Sequence, residues 1–391
     1  MNDTANNAGP PVRLLILSTG DPEAERPFSG SLRSLCSALE RRGIVHHKAN
    51  VNGYTDTFSA GPWFVRLLKK VDRFGLLDYY RWSSLACARN TRRARRAARE
   101  HPGFNACLMY GTTFDPRLDV PTYCYFDGTA AQAARVRGWE LSHFSSRKVQ
   151  QIIDYQRRVF ERCTAIFPRT QWAAGSVLDD YAQPPEKVQV ASAGPNYLAE
   201  PLPHGPYDTQ TILYIGRDFE RKGGPLILDA FRKVREQLAD ARLVIVGCSP
   251  PINEPGVEIV GPIVKDSAGG LERILELYSR ASLFCIMSYY EPFGIVVIEA
   301  QNCYVPCVVP AQFAFTEMVV DGVTGRHVKE YDAGLLADTL LELLSDPARL
   351  EAMGRAAHAH VHANFTWDVA ARRIHERIQR DLAGSVQVSR S

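Results

Sequence analysis

Short apolar runs alternate with amphipathic segments along most of the first half of the chain. The runs typical of buried strands are VRLLILS (12–18), NACLMY (105–110), PTYCYF (121–126), CTAIFP (163–168) and KVQVAS (187–192). Helical patterns lie between several of them, at 31–43, 148–162 and 172–181. This alternation predicts a parallel sheet with helices on both faces.

The alternation restarts after a loop-like stretch at 199–209, which contains three prolines and a glycine. The strand-like runs there are TILYIG (211–216), RLVIVG (242–247), VEIVG (257–261), SLFCIMS (282–288) and YVPCVVP (304–310). Helical patterns begin near Gly224 and at 271–281, and a last one covers 367–382. We therefore predict two doubly wound α/β domains, with 199–209 as the linker.

Length and composition agree with two domains and exclude several classes of protein. The chain has 391 residues, which is too long for one ordinary core, and 45% of them are hydrophobic. The sequence has no run of about 18 apolar residues, so no membrane-spanning helix is predicted. The nine cysteines are scattered, without a CxxC pair, which indicates a reduced cytoplasmic protein and not a disulfide framework or a zinc site. Residues 1–11 are polar, lack the features of a signal peptide and are expected to be a disordered tail.

The stretch SYYEPFGIVVIEAQN (288–302) carries the most specific chemistry. It lies between two predicted parallel strands, so IVVIEAQN is expected to be the crossover helix in spite of its β-branched residues. Its N-terminus, near Gly294, would face the carboxyl ends of the strands, where such folds bind anions. Glu291 and Glu299 would lie roughly 12 Å apart if the segment were helical throughout. Each can accept hydroxyl hydrogen bonds, with phosphates held between them.

This stretch resembles the signature of the retaining GT-B glycosyltransferases of family four, as EPFGIVVIE. IGRDFERKGG (215–224) and VEIVGPI (257–263) are similar to the family's Gly-Arg…Lys-Gly loop and its base-binding segment. The segments 165–196 and 365–374 resemble the close of its N-terminal domain and its final helix. The resemblance implies a GT-B fold, with two Rossmann-like domains facing a cleft. It implies an acceptor-binding domain at 12–200, joined by 366–384, and a nucleotide-sugar-binding domain at 208–365.

The resemblance also implies roles for single residues. Arg217 and Lys222 would neutralise the donor diphosphate, and Glu291 would hold the transferred sugar. Glu299 would accept from the ribose hydroxyls. Phe293, Gly294 and Ile295 would offer backbone N–H groups to the sugar and phosphate. Gly216, Gly261 and Ile263 are also expected to bind the substrate. No metal and no cofactor other than the nucleotide diphosphate-sugar is expected, since fixed cations can stabilise the leaving group.

Two features of the first domain have open interpretations. Asp127 follows a strand in FDGT (126–129), so it could bind the acceptor hydroxyl, act as its base, or be an ordinary turn residue. PFSGS (27–31) would place Ser29 and Gly30 near a substrate, or form a plain tight turn. The proposed mechanism of the family lets the leaving phosphate take the acceptor proton, so it requires no enzyme base.

Charge is uneven along the chain. The net charge is +3, yet residues 61–100 hold 11 Lys or Arg and three acids. WFVRLLKKVDRF (63–74) has an apolar and a basic face, which is typical of a helix on an anionic membrane or of a core-facing helix with a solvated side. No nucleic-acid-binding module accompanies it. The histidines of HAHVHA (358–363) have a spacing that separates their rings on a helix, so a metal site is not expected.

Together these features predict an enzyme that moves a sugar from a nucleotide diphosphate-sugar to the hydroxyl of a glycan, lipid-linked or small-molecule acceptor. Retention of configuration and a cytoplasmic location, with peripheral membrane contact as an option, are expected. A hydrolase or epimerase on the same scaffold is the alternative enzyme. A non-catalytic protein that binds sugar nucleotides or membranes is the alternative of another class.

Overall fold

The computed structural model describes residues 10–24, 30–52, 80–136, 141, 143–197 and 199–388. The chain divides into two compact units. The first contains residues 1–193 together with 367–391, and the second contains residues 194–366.

The first unit is built on a five-stranded parallel sheet. Its strands are β1 (Leu14–Ser18), β2 (Val45–Asn50), β3 (Ala106–Tyr110), β4 (Thr122–Phe126) and β5 (Ala165–Pro168). Their order is β2-β1-β3-β4-β5, and every pairing is parallel. The strand order therefore reverses between β1 and β3, the position where open α/β sheets place their ligands.

Helices cover this sheet. They are α1 (Ser31–Arg41), α2 (Ser84–Glu100), α3 (Ala130–Ala134), α4 (Ser146–Arg162) and α5 (Gln171–Asp179). Fully buried β1, β3 and β5 residues face them, which explains why these strands are continuous apolar runs. The core includes Leu15, Met109, Phe160 and Ile166.

The last helix, α12 (Trp367–Val388), belongs to the first unit although it follows the second in sequence. Ile374 and Ile378 are buried, as expected for the apolar face of an amphipathic helix. Its polar contacts with the rest of the first unit include Arg41, which donates to Asp368 at 2.9 Å, and the Tyr123 hydroxyl, which donates to Asp381 at 3.0 Å. The prediction that the C-terminal helix returns to the N-terminal domain is confirmed.

The second unit has a six-stranded parallel sheet. Its strands are β6 (Thr211–Ile215), β7 (Arg242–Val246), β8 (Val257–Gly261), β9 (Leu283–Cys285), β10 (Cys307–Pro310) and β11 (Gly325–Val328). Their order is β11-β10-β9-β6-β7-β8. This is the doubly wound order in which the first and fourth strands are neighbours, so the point of reversal lies between β6 and β9.

The helices of the second unit complete the doubly wound pattern. They are α6 (Gly224–Gln237), α7 (Gly270–Ser279), α8 (Ile295–Asn302), α9 (Phe315–Met318), α10 (Ala333–Leu344) and α11 (Pro347–Asn364). The expectation that IVVIEAQN forms a helix is confirmed by α8. Because β9 and β10 are parallel neighbours, the chain must cross between them outside the sheet, and this topology outweighs the β-propensity of the segment.

Several local predictions differ from the structure. KVQVAS (187–192) is not a strand; only Val188 forms an isolated bridge with Ile166, next to a short 3₁₀ turn at Pro185–Lys187. The boundary between the units falls after Ala193, so the proline-rich stretch 199–209 lies inside the second unit. His204 stacks there on Tyr207, and its ring is in hydrogen-bonding distance of the Ala281 carbonyl.

Among the described helices, none is both long enough and apolar enough to span a bilayer.

Candidate nucleotide-sugar site

The loop after β6 lies beside the chain that leaves β9, because these two strands are neighbours in the sheet. Two backbone hydrogen bonds fix this arrangement: Met287 N–H donates to the Lys222 carbonyl at 3.2 Å, and Tyr289 N–H donates to the Arg221 carbonyl at 3.0 Å. The sheet topology thereby brings the Lys222 loop and the EPFG segment together at the carboxyl edge of the sheet.

Two glycines allow this close approach. Gly223 has φ +75° and precedes α6, and a Cβ there would overlap the Met287 carbonyl oxygen. Gly294 has φ +66° and precedes α8, where a Cβ would lie 2.9 Å from Cε1 of Phe315 and 3.2 Å from Cγ of Glu291. Gly223 and Gly294 both have a left-handed backbone conformation, which is unfavourable for any residue with a Cβ.

Lys222 and Glu291 form an ion pair across the two loops. Lys222 Nζ contacts Glu291 Oε2, and the Ser288 hydroxyl lies 3.5 Å from the same oxygen. Both side chains are almost buried, with exposed fractions of 13% and 11%. Burial weakens the screening by water, so each charge strongly favours the other. An anion entering here would compete with Glu291 for Lys222.

Glu299 is the second carboxylate of the site and lies in the second turn of α8. The residue is only 1% exposed. Its Oε1 accepts from the Asn196 N–H at 3.1 Å and contacts Lys265 Nζ. Lys265 comes from the loop after β8, whereas Asn196 comes from the start of the second unit. Three separate segments therefore meet at this one carboxylate.

Tyr197 supports this arrangement from the other side of Lys265. Its hydroxyl donates to the Glu299 carbonyl at 3.1 Å and accepts from Asn302 Nδ2 at 3.1 Å. Lys265 Nζ lies 5.5 Å from the centre of the Tyr197 ring, a cation–π distance. Burial raises the pKa of the Tyr197 hydroxyl well above its ordinary value, and the nearby Cys303 and Glu299 raise it further. The tyrosine is therefore a neutral hydrogen-bonding group at any ordinary pH.

The other predicted residues of the second unit lie at the ends of β6 and β8 or at the start of α8. Arg217 follows β6 and is exposed, and the structure gives it no ion pair with another described residue. Gly216 is buried directly after β6, and Gly261 ends β8 with φ +77°. Ile263 is half-buried just beyond it. These positions all follow carboxyl ends of strands, which form one edge of the sheet.

Phe293 and Ile295 flank Gly294 at the start of α8. Phe293 is buried at 3% exposure, and Ile295 is the first residue of the helix. The first N–H groups of a helix have no acceptor within it, and the helix dipole makes this end positive. The start of α8 can therefore hold phosphate oxygens without a side-chain cation.

In the first unit, Asp127 lies at the carboxyl end of β4, and its side chain is 47% exposed. Arg169, which directly follows β5, places Nη1 3.8 Å from Asp127 Oδ2 and also contacts the Tyr110 hydroxyl. Burial lowers the pKa of Arg169, but Tyr110, Tyr125 and Asp127 outweigh it and raise that pKa. Gly30 starts α1 with φ +86° at the same edge, whereas Ser29 lies outside the described residues.

No group of three metal-ligating side chains occurs within the described ranges. His358 Nδ1 is in hydrogen-bonding distance of the Asn302 carbonyl at 2.7 Å, and its ring stacks on Tyr304.

Because residues 53–79 and most of 1–11 lie outside the described residues, the membrane-facing helix and the disordered tail stay predictions.

Sequence reasoning missed three residues of these clusters: Lys265, Asn196 and Arg169. Lys265 stands four residues after Gly261, and a cation just beyond a strand end was the available signal. Asn196 acts through its backbone N–H, which carries no sequence signal. Arg169 directly follows the apolar run AIFP, a position that also predicts the carboxyl edge.

Solved structures with the same architecture identify the class of fold. The chain is similar to sucrose-phosphate synthase from Thermosynechococcus elongatus, with a TM-score of 0.70, 19% identity and coverage of 95% of this chain and all of that one. It is also similar to Anabaena HepE in complex with UDP and glucose, with a TM-score of 0.63, 16% identity and coverage of 94% and 100%. Two parallel α/β units and the returning C-terminal helix are those of the GT-B fold, as predicted.

A protein-family model matches most of the second unit. Residues 209–346 match the family model described as glycosyl transferases group 1. A D-inositol 3-phosphate glycosyltransferase of Kribbella flavida is 28% identical over 239 residues, which cover 55% of this chain and 56% of that protein. The chain spans about half the length of the first curated relatives it matches. The resemblance to GT-B glycosyltransferases is therefore confirmed.

The two left-handed glycines that precede α6 and α7 provide a matched test of the close approach at Lys222. Gly269 has φ +71° and open space where a Cβ would lie, whereas Gly223 faces the Met287 carbonyl. We expect Gly269→Ala to cost about 1–2 kcal/mol from left-handed strain alone. Gly223→Ala should cost about 1–3 kcal/mol more, because the overlap adds to that strain. Thermal unfolding midpoints measure the difference, and equal midpoints for the two variants would contradict the packing at Gly223.

Proposed function

We propose that this chain is a glycosyltransferase that uses a nucleotide diphosphate-sugar as donor. The observation that carries the proposal is the set of groups around the start of α8. Two buried carboxylates, Glu291 and Glu299, lie on either side of a helix N-terminus, and Lys222 lies against the first of them. This order of groups matches a sugar, a diphosphate and a ribose, since carboxylates accept from hydroxyls and the helix end attracts phosphate.

The donor would occupy the site as follows. Glu299 accepts from ribose hydroxyls, while Gly261 and Ile263 at the end of β8 flank the base. The diphosphate lies at the start of α8, within reach of Lys222 and Arg217, next to the backbone of Gly216. Glu291 accepts from hydroxyls of the transferred sugar, and N–H groups of Phe293, Gly294 and Ile295 serve the sugar and phosphates. The structurally similar HepE forms a complex with UDP and glucose, which supports a donor of this class.

The chemistry follows from where charge develops. The bond between the anomeric carbon and the diphosphate oxygen breaks, and the electron pair remains on the diphosphate. Lys222, Arg217 and the α8 N-terminus stabilise this growing charge. The acceptor hydroxyl forms the new glycosidic bond, and its proton passes to the leaving phosphate on the same face. This front-face route gives retention of configuration and requires no enzyme base.

The first unit supplies the groups for the acceptor in this proposal. Asp127 is exposed at the carboxyl edge of the sheet, so it can bind the acceptor hydroxyl or accept its proton. Gly30 at the start of α1 contributes backbone contacts. The curated relatives are named for D-inositol 3-phosphate, which supports a small-molecule acceptor over a glycan or a lipid-linked one.

Ligand-induced stabilisation tests the donor class. We expect one of the uridine, guanosine or adenosine diphosphate-sugars to raise the unfolding midpoint, because a ligand at a hundred times its Kd adds about 2.7 kcal/mol of stability. The nucleoside monophosphate and the free sugar serve as controls and should stabilise far less, since each lacks the diphosphate.

Product analysis then separates the alternatives. Transfer to an added hydroxyl acceptor supports the proposal, whereas release of free sugar at the same rate with or without acceptor indicates a hydrolase. A changed sugar still attached to the nucleotide indicates an epimerase. Stabilisation without any turnover indicates a binding protein, and no stabilisation by any nucleotide contradicts the proposal itself.

Lys222 and Glu299 should differ in their kinetic effects. The charge near Lys222 grows as the bond breaks, so Lys222→Ala should lower kcat by about 10²–10³. The ribose changes little during the reaction, so Glu299→Ala should mainly raise the KM for the donor, with a smaller effect on kcat. Steady-state and single-turnover kinetics with the identified donor measure both effects.

Matched controls for these substitutions lie on the exposed face of α6. Lys233→Ala and Glu236→Ala remove the same charges from surface positions and should leave both kinetic constants within about twofold. If Lys222→Ala changed only KM and Glu299→Ala changed only kcat, the assignment of diphosphate and ribose would be reversed.

Metal independence is a separate proposal about the same reaction. Fixed cations and a helix N-terminus would neutralise the leaving diphosphate, so we expect the transfer rate to be unchanged in excess EDTA. The measurement compares initial rates in EDTA, in Mg²⁺ and in Mn²⁺ after removal of metals. Loss of activity in EDTA, with recovery on addition of either ion, would overturn this proposal.

A further inference from the structure

The surroundings of Glu299 contain a residue with no role in the proposed donor pose. Lys265 lies in the loop between β8 and α7, and its ammonium contacts the Glu299 carboxylate. The Glu299 side chain is 2% exposed, whereas that of Lys265 is 23% exposed. A carboxylate so deeply buried is unfavourable without a partner cation, and Lys265 is that partner for Glu299.

The position of the contact on the carboxylate is specific. Lys265 and the Asn196 N–H both bind Oε1, the latter at 3.1 Å. No described residue donates a hydrogen bond to Oε2. Two donors from different segments therefore fix the rotation of the carboxylate and leave one oxygen for a ligand.

Lys265 is itself held in place. Its ammonium lies over the Tyr197 ring, and the Tyr197 hydroxyl is bound to the Glu299 carbonyl and to Asn302. The tyrosine ring thus links the lysine to the same helix that carries Glu299. A cation fixed from two sides loses less conformational freedom on ligand binding than a surface lysine does.

We infer that Lys265 is a positioning residue for recognition of the donor ribose, acting by pairing with Glu299 and orienting it so that Oε2 accepts a ribose hydroxyl. This inference rests on the proposed function, because it assumes that a nucleotide diphosphate binds this unit. It goes beyond that function by assigning the discrimination between ribose and deoxyribose to a Lys265–Glu299 pair.

The test measures dissociation constants by titration calorimetry on the full chain. The probes are uridine, guanosine and adenosine diphosphates and the 2′-deoxy and 3′-deoxy forms of whichever binds. In the wild type, one of the two deoxy forms should bind roughly 10–100-fold more weakly, as expected for loss of a hydrogen bond to a charged group. Lys265→Met should reduce this ratio to below about threefold, and Lys265→Arg should largely preserve it.

A double-mutant cycle distinguishes positioning from a general structural role. In a Glu299→Gln background, Lys265→Met should have little further effect on affinity or on the ribose-to-deoxyribose ratio, because the buried charge is already gone. The double variant Glu299→Gln, Lys265→Met also contains no unpaired buried charge at this site, so it should fold even if Lys265→Met alone does not. Lys233→Met on α6 is the control for loss of a lysine.

The outcomes separate the proposed function from the role of Lys265. If the wild type binds no nucleoside diphosphate, the proposed function fails and this inference fails with it. If Lys265→Met prefers the ribose form over the deoxy form as strongly as the wild type does, only the role of Lys265 is overturned. The same holds if the effects of Lys265→Met and Glu299→Gln on affinity are additive in the cycle. If the ratio of the dissociation constants for the deoxy and ribose forms falls in both Lys265→Met and Glu299→Gln, the result supports the role of the Lys265–Glu299 pair.

Discussion

Two buried carboxylates at one edge of a parallel sheet determine how the second unit is organised. Glu291 and Glu299 lie at 8% and 1% exposure, and an anion in such surroundings requires a cation and hydrogen-bond donors. Lys222 and Lys265 supply the cations, from the loops after β6 and β8. Each lysine reaches its carboxylate only because β6, β7, β8 and β9 are aligned with their carboxyl ends at one edge. The charge pairs therefore depend on the sheet.

The same pairs bear on the proposed donor site. Lys222 is neutralised by Glu291, so a bound diphosphate would replace one anionic partner of the lysine with another. Glu299 keeps its partners at Oε1 and presents Oε2. In the proposed donor pose the two carboxylates therefore differ, because Glu291 would give up its cation to the ligand and Glu299 would retain its own. This difference follows from the elements that hold them, since Glu291 lies in a loop and Glu299 in a helix.

The two units have different local chemistry at equivalent edges. In the first unit, a buried arginine, Arg169, lies among Tyr110, Tyr125 and Asp127. Its positive charge lies near one half-exposed carboxylate, a tyrosine hydroxyl and two tyrosine rings. This difference in charge agrees with the proposal that the second unit binds the donor and the first unit binds the acceptor.

The apolar runs of the sequence predicted most of the strands, because a strand buried on both faces must be continuously apolar. The prediction of a strand at 187–192 was wrong, because in KVQVAS only Val188 pairs with a neighbouring strand residue. Less apolar strands such as β2 and β11 carry too weak a pattern to be assigned from sequence. Their place is set by pairing with β1 and β10.

The sequence by itself determined the fold class and the crossover helix at 295–302, and it suggested the groups that we propose for a nucleotide sugar, since local patterns and short motifs encode these. Only the tertiary structure decided which charges meet. Lys222 and Glu291 are 69 residues apart, Lys265 and Glu299 are 34 apart, and Asn196 contributes a backbone N–H 103 residues from Glu299. Such contacts depend on strand order and on close backbone approach, and no local pattern records either of these.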